Sequence, residues 1–421
     1  MRAPDRSAAQ QVPGLPVGWY VHLPFCHTKC GYCDFYSVPN QPDAVGELTA
    51  AICAEMLRRD PGRPIATVFV GGGTPTVLPA IALEAILRAI PRRFAATEVE
   101  FTVEANPSSA DELKMDLLRQ CGVNRVSFGA QSFHRDELAV LERLHDPIHI
   151  PEAVQLARRA GFANINLDLI FGIPGQTLER WLDSLSRAVD LGVEHIACYS
   201  LMYEEGTALT KRRRMGQVQP IDEDVEAEMY ERTIDTLTAA GYEHYEISNF
   251  ARPGRRCRHN MVYWRNEEYV GIGPSAVSYL DGVRSKKAAD YRQYIAALAG
   301  DNARRGGPTH VTTADGRHDE RRLRLFAGHP DGLVIESEKL EGIAHARETA
   351  IQMLRLTEGI DTAYFRQRTG FDPLALFAGP IQQFTAGGLV DVVNGFIRLT
   401  RRGLLVANRV MQEFLGEPVS A

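Results

Sequence analysis

The run YVHLPFCHTKCGYC at residues 20–33 places Cys26, Cys30 and Cys33 in a CxxxCxxC spacing directly after an apolar, strand-like segment. Three thiolates within eight residues are a dense set of soft ligands, the kind that selects zinc, copper or an iron–sulfur cluster. Three ligands leave a fourth position open. On a cubane cluster that means one iron free to bind an exogenous ligand. Zinc is the alternative, but a structural zinc site closes with a fourth ligand, and no second Cys or His pair follows at the usual distance. A disulfide would leave one of the three cysteines over.

Working outward, the 421 residues suffice for two or three domains. Hydrophobic residues make up 44% and charged residues 24%, an ordinary globular balance. The net charge of −6 gives no reason to expect nucleic acid as a partner. The basic runs at 211–214 and 255–256 are short and read as solvated loops. Cysteines 53, 121, 198 and 257 show no paired pattern, and Cys53 and Cys121 read as core thiols. Residues 1–17 read as disordered, without the apolar core of a signal peptide. No apolar run approaches the roughly 20 residues a transmembrane segment needs. The expected setting is cytoplasmic, where thiols stay reduced.

Between residues 18 and 200, short apolar runs alternate with amphipathic ones. Strands are predicted at 19–23, 67–70, 99–103, 125–128, 164–170 and 195–199, and helices at 44–59, 81–92, 111–120, 151–160 and 178–191. Six such units predict an α/β fold with a parallel sheet wrapped by helices, either an incomplete barrel or an open doubly wound sheet. A helix follows at 222–239, then one extra strand within 241–250. This domain and its extension occupy 18–300. Residues 301–335 read as a linker or insertion. A smaller helical domain spans 336–421, with an Asn394-Gly395 hairpin joining 390–393 to 396–399 and a last helix at 401–415, in the manner of a winged helix.

In parallel α/β sheets, chemistry collects at the carboxyl ends of the strands. Gly71-Gly72-Gly73-Thr74 follows the second strand, Glu104 ends the third, Gln131 ends the fourth, Asp168 lies in the fifth, and Tyr199 and Ser200 end the sixth. The glycines suit a loop whose amides hold a ligand's amino or carboxylate group, or simply a turn. Glu104 suits a ribose or ammonium partner, or is a solvated strand-end carboxylate. Gln131, Arg143 and Asp168 could complete a nucleoside pocket or make structural hydrogen bonds. Asp168 stands out because an unpaired buried carboxylate is costly. Glu204 is a turn or pocket carboxylate, His27 a solvated loop residue, and His22 a candidate to face the barrel. His259, Asn260, Tyr263 and Trp264 combine an imidazole, an amide and two large aromatics, a set suited to a flat macrocycle or to a core with a loop histidine.

The cysteine motif, with Tyr32 before its last member, resembles that of the radical S-adenosylmethionine (radical SAM) proteins. GGGTPT at 71–76, VEANP at 103–107, SFGAQS at 127–132, NLDLIFGIPG at 166–175 and GIGPSA at 271–276 are similar to one branch, the oxygen-independent coproporphyrinogen III oxidases and their heme-chaperone paralogues. The resemblance implies a partial (β/α)6 barrel with a helical C-terminal domain. It implies a [4Fe-4S] cluster on Cys26, Cys30 and Cys33, with S-adenosyl-L-methionine (SAM) on the fourth iron. The implied SAM pocket uses Tyr20, Tyr32 through its backbone, Gly72, Gly73, Thr74, Glu104, Gln131, Arg143 and Asp168.

Three features separate the branches. The oxidases carry a further Cys where this chain has Phe35, and they have a long N-terminal arm where only about 18 residues precede the first strand here. The chaperones carry His-Asn-x2-Tyr-Trp, present at 259–264. The resemblance therefore favours the chaperone. Heme is then carried by His259, Asn260, Tyr263 and Trp264 and passed to acceptor hemoproteins of a respiratory chain, with membrane contact only through those acceptors. The oxidase, which decarboxylates propionates through a 5′-deoxyadenosyl radical, is the rival. Residues 303–332 depart from the pattern of that branch.

Overall fold

The computed structural model describes residues 15–299 and 333–416. The expectations of an N-terminal disordered stretch and of an insertion at 303–332 therefore fall almost wholly outside the described residues.

Six parallel strands run in sequence order across one sheet: β1 (Val17–Leu23), β4 (Ile65–Gly72), β5 (Glu100–Ala105), β6 (Arg125–Gln131), β7 (Ile165–Phe171) and β8 (His195–Ser200). The short β2 (Phe25–Cys26) and β3 (Val38–Pro39) pair with each other beside β1. Strand burial is near-continuous, as in a parallel sheet covered by helices. The connecting helices bury residues at helical spacing. Pro42–Arg59 buries Val45, Leu48, Ile52 and Met56, and Leu178–Asp190 buries Trp181, Leu185 and Ala188. This is the partial (β/α)6 barrel. It does not close. β8 pairs antiparallel with β10 (Asn249–Ala251), which pairs with β9 (Glu243–Glu246). At the other edge β1 pairs parallel with β11 (Tyr269–Ile272), and β12 (Val277–Leu280), β13 (Val283–Lys287) and β14 (Val334–Lys339) continue antiparallel.

Three expectations change. The single strand foreseen within 241–250 is a tight pair, because the chain reverses between Glu246 and Asn249. The boundary drawn at 336 falls inside β14, whose backbone hydrogen bonds belong to the large sheet. Residues 211–214 are not a loop but the end of the helix Ala208–Arg214. Arg212 and Arg214 pair there with Glu142 and Glu205, and Arg213 lies over the Tyr203 ring.

The C-terminal unit has its own core, including Phe365, Phe377, Phe384, Val390, Ile397 and Phe414. Its hairpin, β16 (Val390–Val393) and β17 (Phe396–Leu399), turns at Asn394 and Gly395, both with positive φ, and β15 (Ile360–Asp361) adds a third strand. The last helix breaks into Arg401–Leu405 and Ala407–Leu415. This unit docks behind the segment carrying His259. Asn266 donates to Thr349 at 3.0 Å, and Arg368 donates to the Asn266 carbonyl at 2.7 Å.

Candidate cluster and cofactor site

The carboxyl ends of the parallel strands surround a cavity of about 870 Å3. Cys26, Cys30, Tyr32 and Cys33 line one side of it, and Gly72, Gly73, Thr74, Glu104, Gln131, Arg143 and Asp168 line the rest, together with Glu204 and the exposed His27. Eleven of the twelve residues expected at the cluster and SAM site are thereby together. Tyr20 is the exception. It points to the neighbouring cavity described below, where its hydroxyl meets His22 Nδ1 at 2.9 Å. All three cysteines are free thiols, and burial raises the pKa of Cys26 and Cys33. Among the described residues no three His, Cys, Asp or Glu side chains gather tightly enough for a single metal ion. The three cysteines line one common cavity.

The loop is fixed from several directions. The Cys33 amide bonds the Cys30 carbonyl at 3.1 Å, Thr74 Oγ1 donates to Cys26 Sγ at 3.6 Å, and Leu209 N donates to the Gly31 carbonyl at 2.8 Å. Tyr32 packs against the buried group that holds Leu141, Ile170 and Ile173. The glycine loop acts by close approach rather than by free amides. Gly72 N donates to Glu104 Oε2 at 3.0 Å, Gly73 N to the Leu23 carbonyl at 2.7 Å, and Thr74 N to the Phe25 carbonyl at 2.8 Å. A side chain at Gly73 would put its Cβ 2.6 Å from the Phe25 carbonyl oxygen. The reading of these amides as ligand donors is therefore corrected: those of Gly73 and Thr74 tie the end of β4 to the segment entering the cysteine loop, and that of Gly72 ties it to Glu104 of β5.

Two carboxylates face the cavity. Asp168 accepts from Ser127 Oγ at 3.1 Å and from Asn166 Nδ2 at 2.9 Å. Burial, reinforced by Asp168, pushes the Glu104 carboxyl up to about 8, and burial raises Asp168 as well. Such a pair favours a cationic ligand, which would repay the desolvation. Arg143 provides the opposite charge. Its Nη2 donates to the Gly129 carbonyl at 2.7 Å and its Nη1 to Cys30 Sγ at 3.5 Å, while its buried Nε has no partner. Gln131 sits at φ 63° where the pairing of β6 with β7 slips between Gly129 and Gln131. Positive φ at a non-glycine residue is uncommon and collects at functional positions. Paired acidic groups, an orphaned guanidinium nitrogen and three thiols are a donor set that fits a cluster with a zwitterionic, sulfonium-bearing ligand.

A second cavity of about 480 Å3 shares Asp34, Phe35, Gly72 and Glu104 with the first. Tyr20, His22, His259, Asn260 and Tyr263 line it. His259 belongs to the helix Arg258–Trp264, whose first turn is capped from another strand. Glu100, the first residue of β5, accepts from Arg258 N at 2.9 Å and His259 N at 3.0 Å. The imidazole is buried, stacks on Phe69, and contacts Thr67 Oγ1 through Nδ1 at 2.8 Å and Tyr263 Oη through Nε2 at 2.9 Å. Burial lowers its pKa to about 3, so it is neutral. Trp264 is not in this wall. Its ring packs under Arg355, 4.5 Å away, and it is corrected to an interdomain contact.

Sequence reasoning missed the polar residues that hold these groups. Asn166 links Asp168 to His195 Nδ1 at 2.5 Å, and His195 Nε2 meets Tyr245 Oη at 2.8 Å. Tyr245 Oη accepts from Cys257 N at 3.3 Å, immediately before the His259 helix. Polar residues inside the apolar runs of β7 and β8 were the available signal.

Residues 20–188 match the Radical SAM superfamily and residues 340–406 the HemN C-terminal domain. The chain is 35% identical over 408 residues to the heme chaperone HemW of Bacillus subtilis (strain 168), spanning 94% of this chain and 99% of that one. It is 38% identical over 292 residues to heme chaperone HemW of Escherichia coli (strain K12), 66% of this chain and 76% of that one. Among solved structures, coproporphyrinogen III oxidase (HemN) from Escherichia coli, described as a radical SAM enzyme, superposes with a TM-score of 0.75 at 22% identity, covering 95% of this chain and 90% of that one. At that identity the likeness speaks to the fold alone.

Proposed function

The chain belongs to the heme chaperone HemW family of radical SAM proteins, and we propose accordingly that it binds heme and passes it to acceptor hemoproteins, of a respiratory chain, from the cytoplasm. Cys26, Cys30 and Cys33 would hold a [4Fe-4S] cluster. Glu104, Gln131, Arg143 and Asp168, with Tyr32 and the Gly72–Gly73–Thr74 turn, would hold SAM. When bound, the cluster supplies an open iron site and a one-electron couple. The protein's own part is electrostatic. Arg143 would meet the carboxylate of SAM's amino acid moiety, and the two buried carboxylates would offset its cationic end.

The observation that carries the heme reading is the neutral imidazole of His259 in a cavity that shares a wall with the thiol cavity. A proton on Nδ1, donated to Thr67, leaves the Nε2 lone pair facing the Tyr263 hydroxyl. Displacing Tyr263 frees it for heme iron. Phe35, in place of the oxidase branch's additional cysteine, favours the chaperone over the oxidase.

The test is an anaerobic heme titration of cluster-reconstituted protein, read by Soret absorbance. Saturation near one heme per chain, with loss of the shift in His259→Ala, is the expected result. Carbon dioxide and vinyl products from coproporphyrinogen III with SAM would instead establish the oxidase. Saturation unchanged in His259→Ala would move the ligand elsewhere.

A further inference from the structure

The second cavity has an uneven charge distribution. Its inner wall is neutral and aromatic, with His259 stacked on Phe69 and His22 stacked on Tyr36. Burial pushes His22 down to about 4 and so keeps it uncharged. Lys286 on β13 is the one lysine or arginine among the described residues lining the cavity, and it is exposed. Among the described residues its ammonium has no hydrogen-bond or ion-pair partner. Glu336 lies opposite it in the β13–β14 register without forming an ion pair. The acidic groups lining the cavity are Asp34 and Glu104, both also part of the thiol cavity. Phe35 stands at the junction of the two cavities with 67% of its surface exposed.

A neutral aromatic interior, a single cation on the rim and an exposed phenyl ring at the lip complement a flat apolar ligand with carboxylates along one edge. We propose that this cavity seats heme edge-in, with Lys286 holding a propionate and Phe35 covering part of the macrocycle face. The proposal rests on the heme-binding reading above and adds the orientation and two residues that decide specificity. Propionates directed to Lys286 also stay clear of Asp34, which would repel them at the shared wall. The bound macrocycle then lies against Phe35, two residues from Cys33.

The experiment compares iron(III) heme with its dimethyl ester, whose propionates are neutral, by anaerobic titration of the cluster-reconstituted full chain. The proteins are wild type, Lys286→Ala, Lys286→Glu, Lys286→Arg and Phe35→Ala. Lys286→Ala is expected to weaken heme by roughly fivefold, the scale of one rim-exposed charge pair, and Lys286→Glu by more. Lys286→Arg should restore it. None of the Lys286 variants should change ester binding, whereas Phe35→Ala should weaken heme and ester alike. Equal heme affinity across the Lys286 series overturns the proposal while leaving heme binding intact. Absence of saturable heme binding by wild type overturns the reading beneath it.

Discussion

Arg143 donates through Nη1 to the sulfur of Cys30, 3.5 Å away, from a position where its Nε is buried and unpartnered. The guanidinium is thus tied to the cysteine loop on one side and to the Gly129 carbonyl of β6 on the other. It reads both the thiol triad and the cavity, and its spare nitrogen suits a carboxylate ligand.

Arg143→Met should reduce SAM affinity by about ten- to a hundredfold, the worth of a charge-assisted hydrogen bond in a water-poor site. Cluster content, measured as iron and sulfide per chain, should stay near the wild-type level. Equilibrium dialysis with labelled SAM checks this. Equal affinity in the two proteins would remove Arg143 from the binding set.

Glu104 gives a pH signature. Its carboxyl, near 4.5 when unperturbed, is pushed by burial to about 8 in the folded chain. Between those values the folded state binds more protons than the unfolded one, so this group's contribution to stability falls as pH rises through that window. Glu104→Gln cannot titrate and can keep the bond from Gly72 N. Its Tm relative to wild type should therefore climb from about pH 5 to about pH 8. Adding SAM should shrink the difference, because a cation in the cavity favours the ionised carboxylate.

Gly73 admits no side chain. A Cβ there would lie 2.6 Å from the Phe25 carbonyl oxygen and 2.7 Å from that of Leu23, both backbone atoms. Gly73→Ala must displace the cysteine loop or the end of β4. A loss of about 1–3 kcal/mol in urea unfolding is expected, together with reduced cluster incorporation. A variant that reconstitutes fully would show that the loop yields without harm.

Tyr245→Phe removes the hydroxyl shared by His195 Nε2 and Cys257 N. Both would be left unpaired in the interior, at a cost of about 1–3 kcal/mol. Denaturant melts of the full chain report it directly. An unchanged midpoint would mean that water replaces the hydroxyl.

The cysteine triad and the residues at the strand ends were legible because their signals are local. Ligand spacing spans eight residues, and a short apolar run bounded by turn residues states where a buried strand ends. The placement of Tyr20 and Trp264 was not legible. Tyr20 alternates with Trp19 and Val21 along β1, and only its register against Phe69 of β4 decides which cavity it reaches. Trp264 ends a helix whose direction depends on a cap supplied by Glu100, 159 residues before His259.

By itself the sequence determined the thiol triad, the order of six βα units and the separate C-terminal unit, since these follow from short-range spacing and periodicity. The tertiary structure alone decided that Tyr20 faces the neighbouring cavity, that β14 extends the large sheet, and that a second cavity with Lys286 on its rim adjoins the first. Those relations join residues far apart in the chain. Long-range strand register and burial set them, and no local pattern encodes either one.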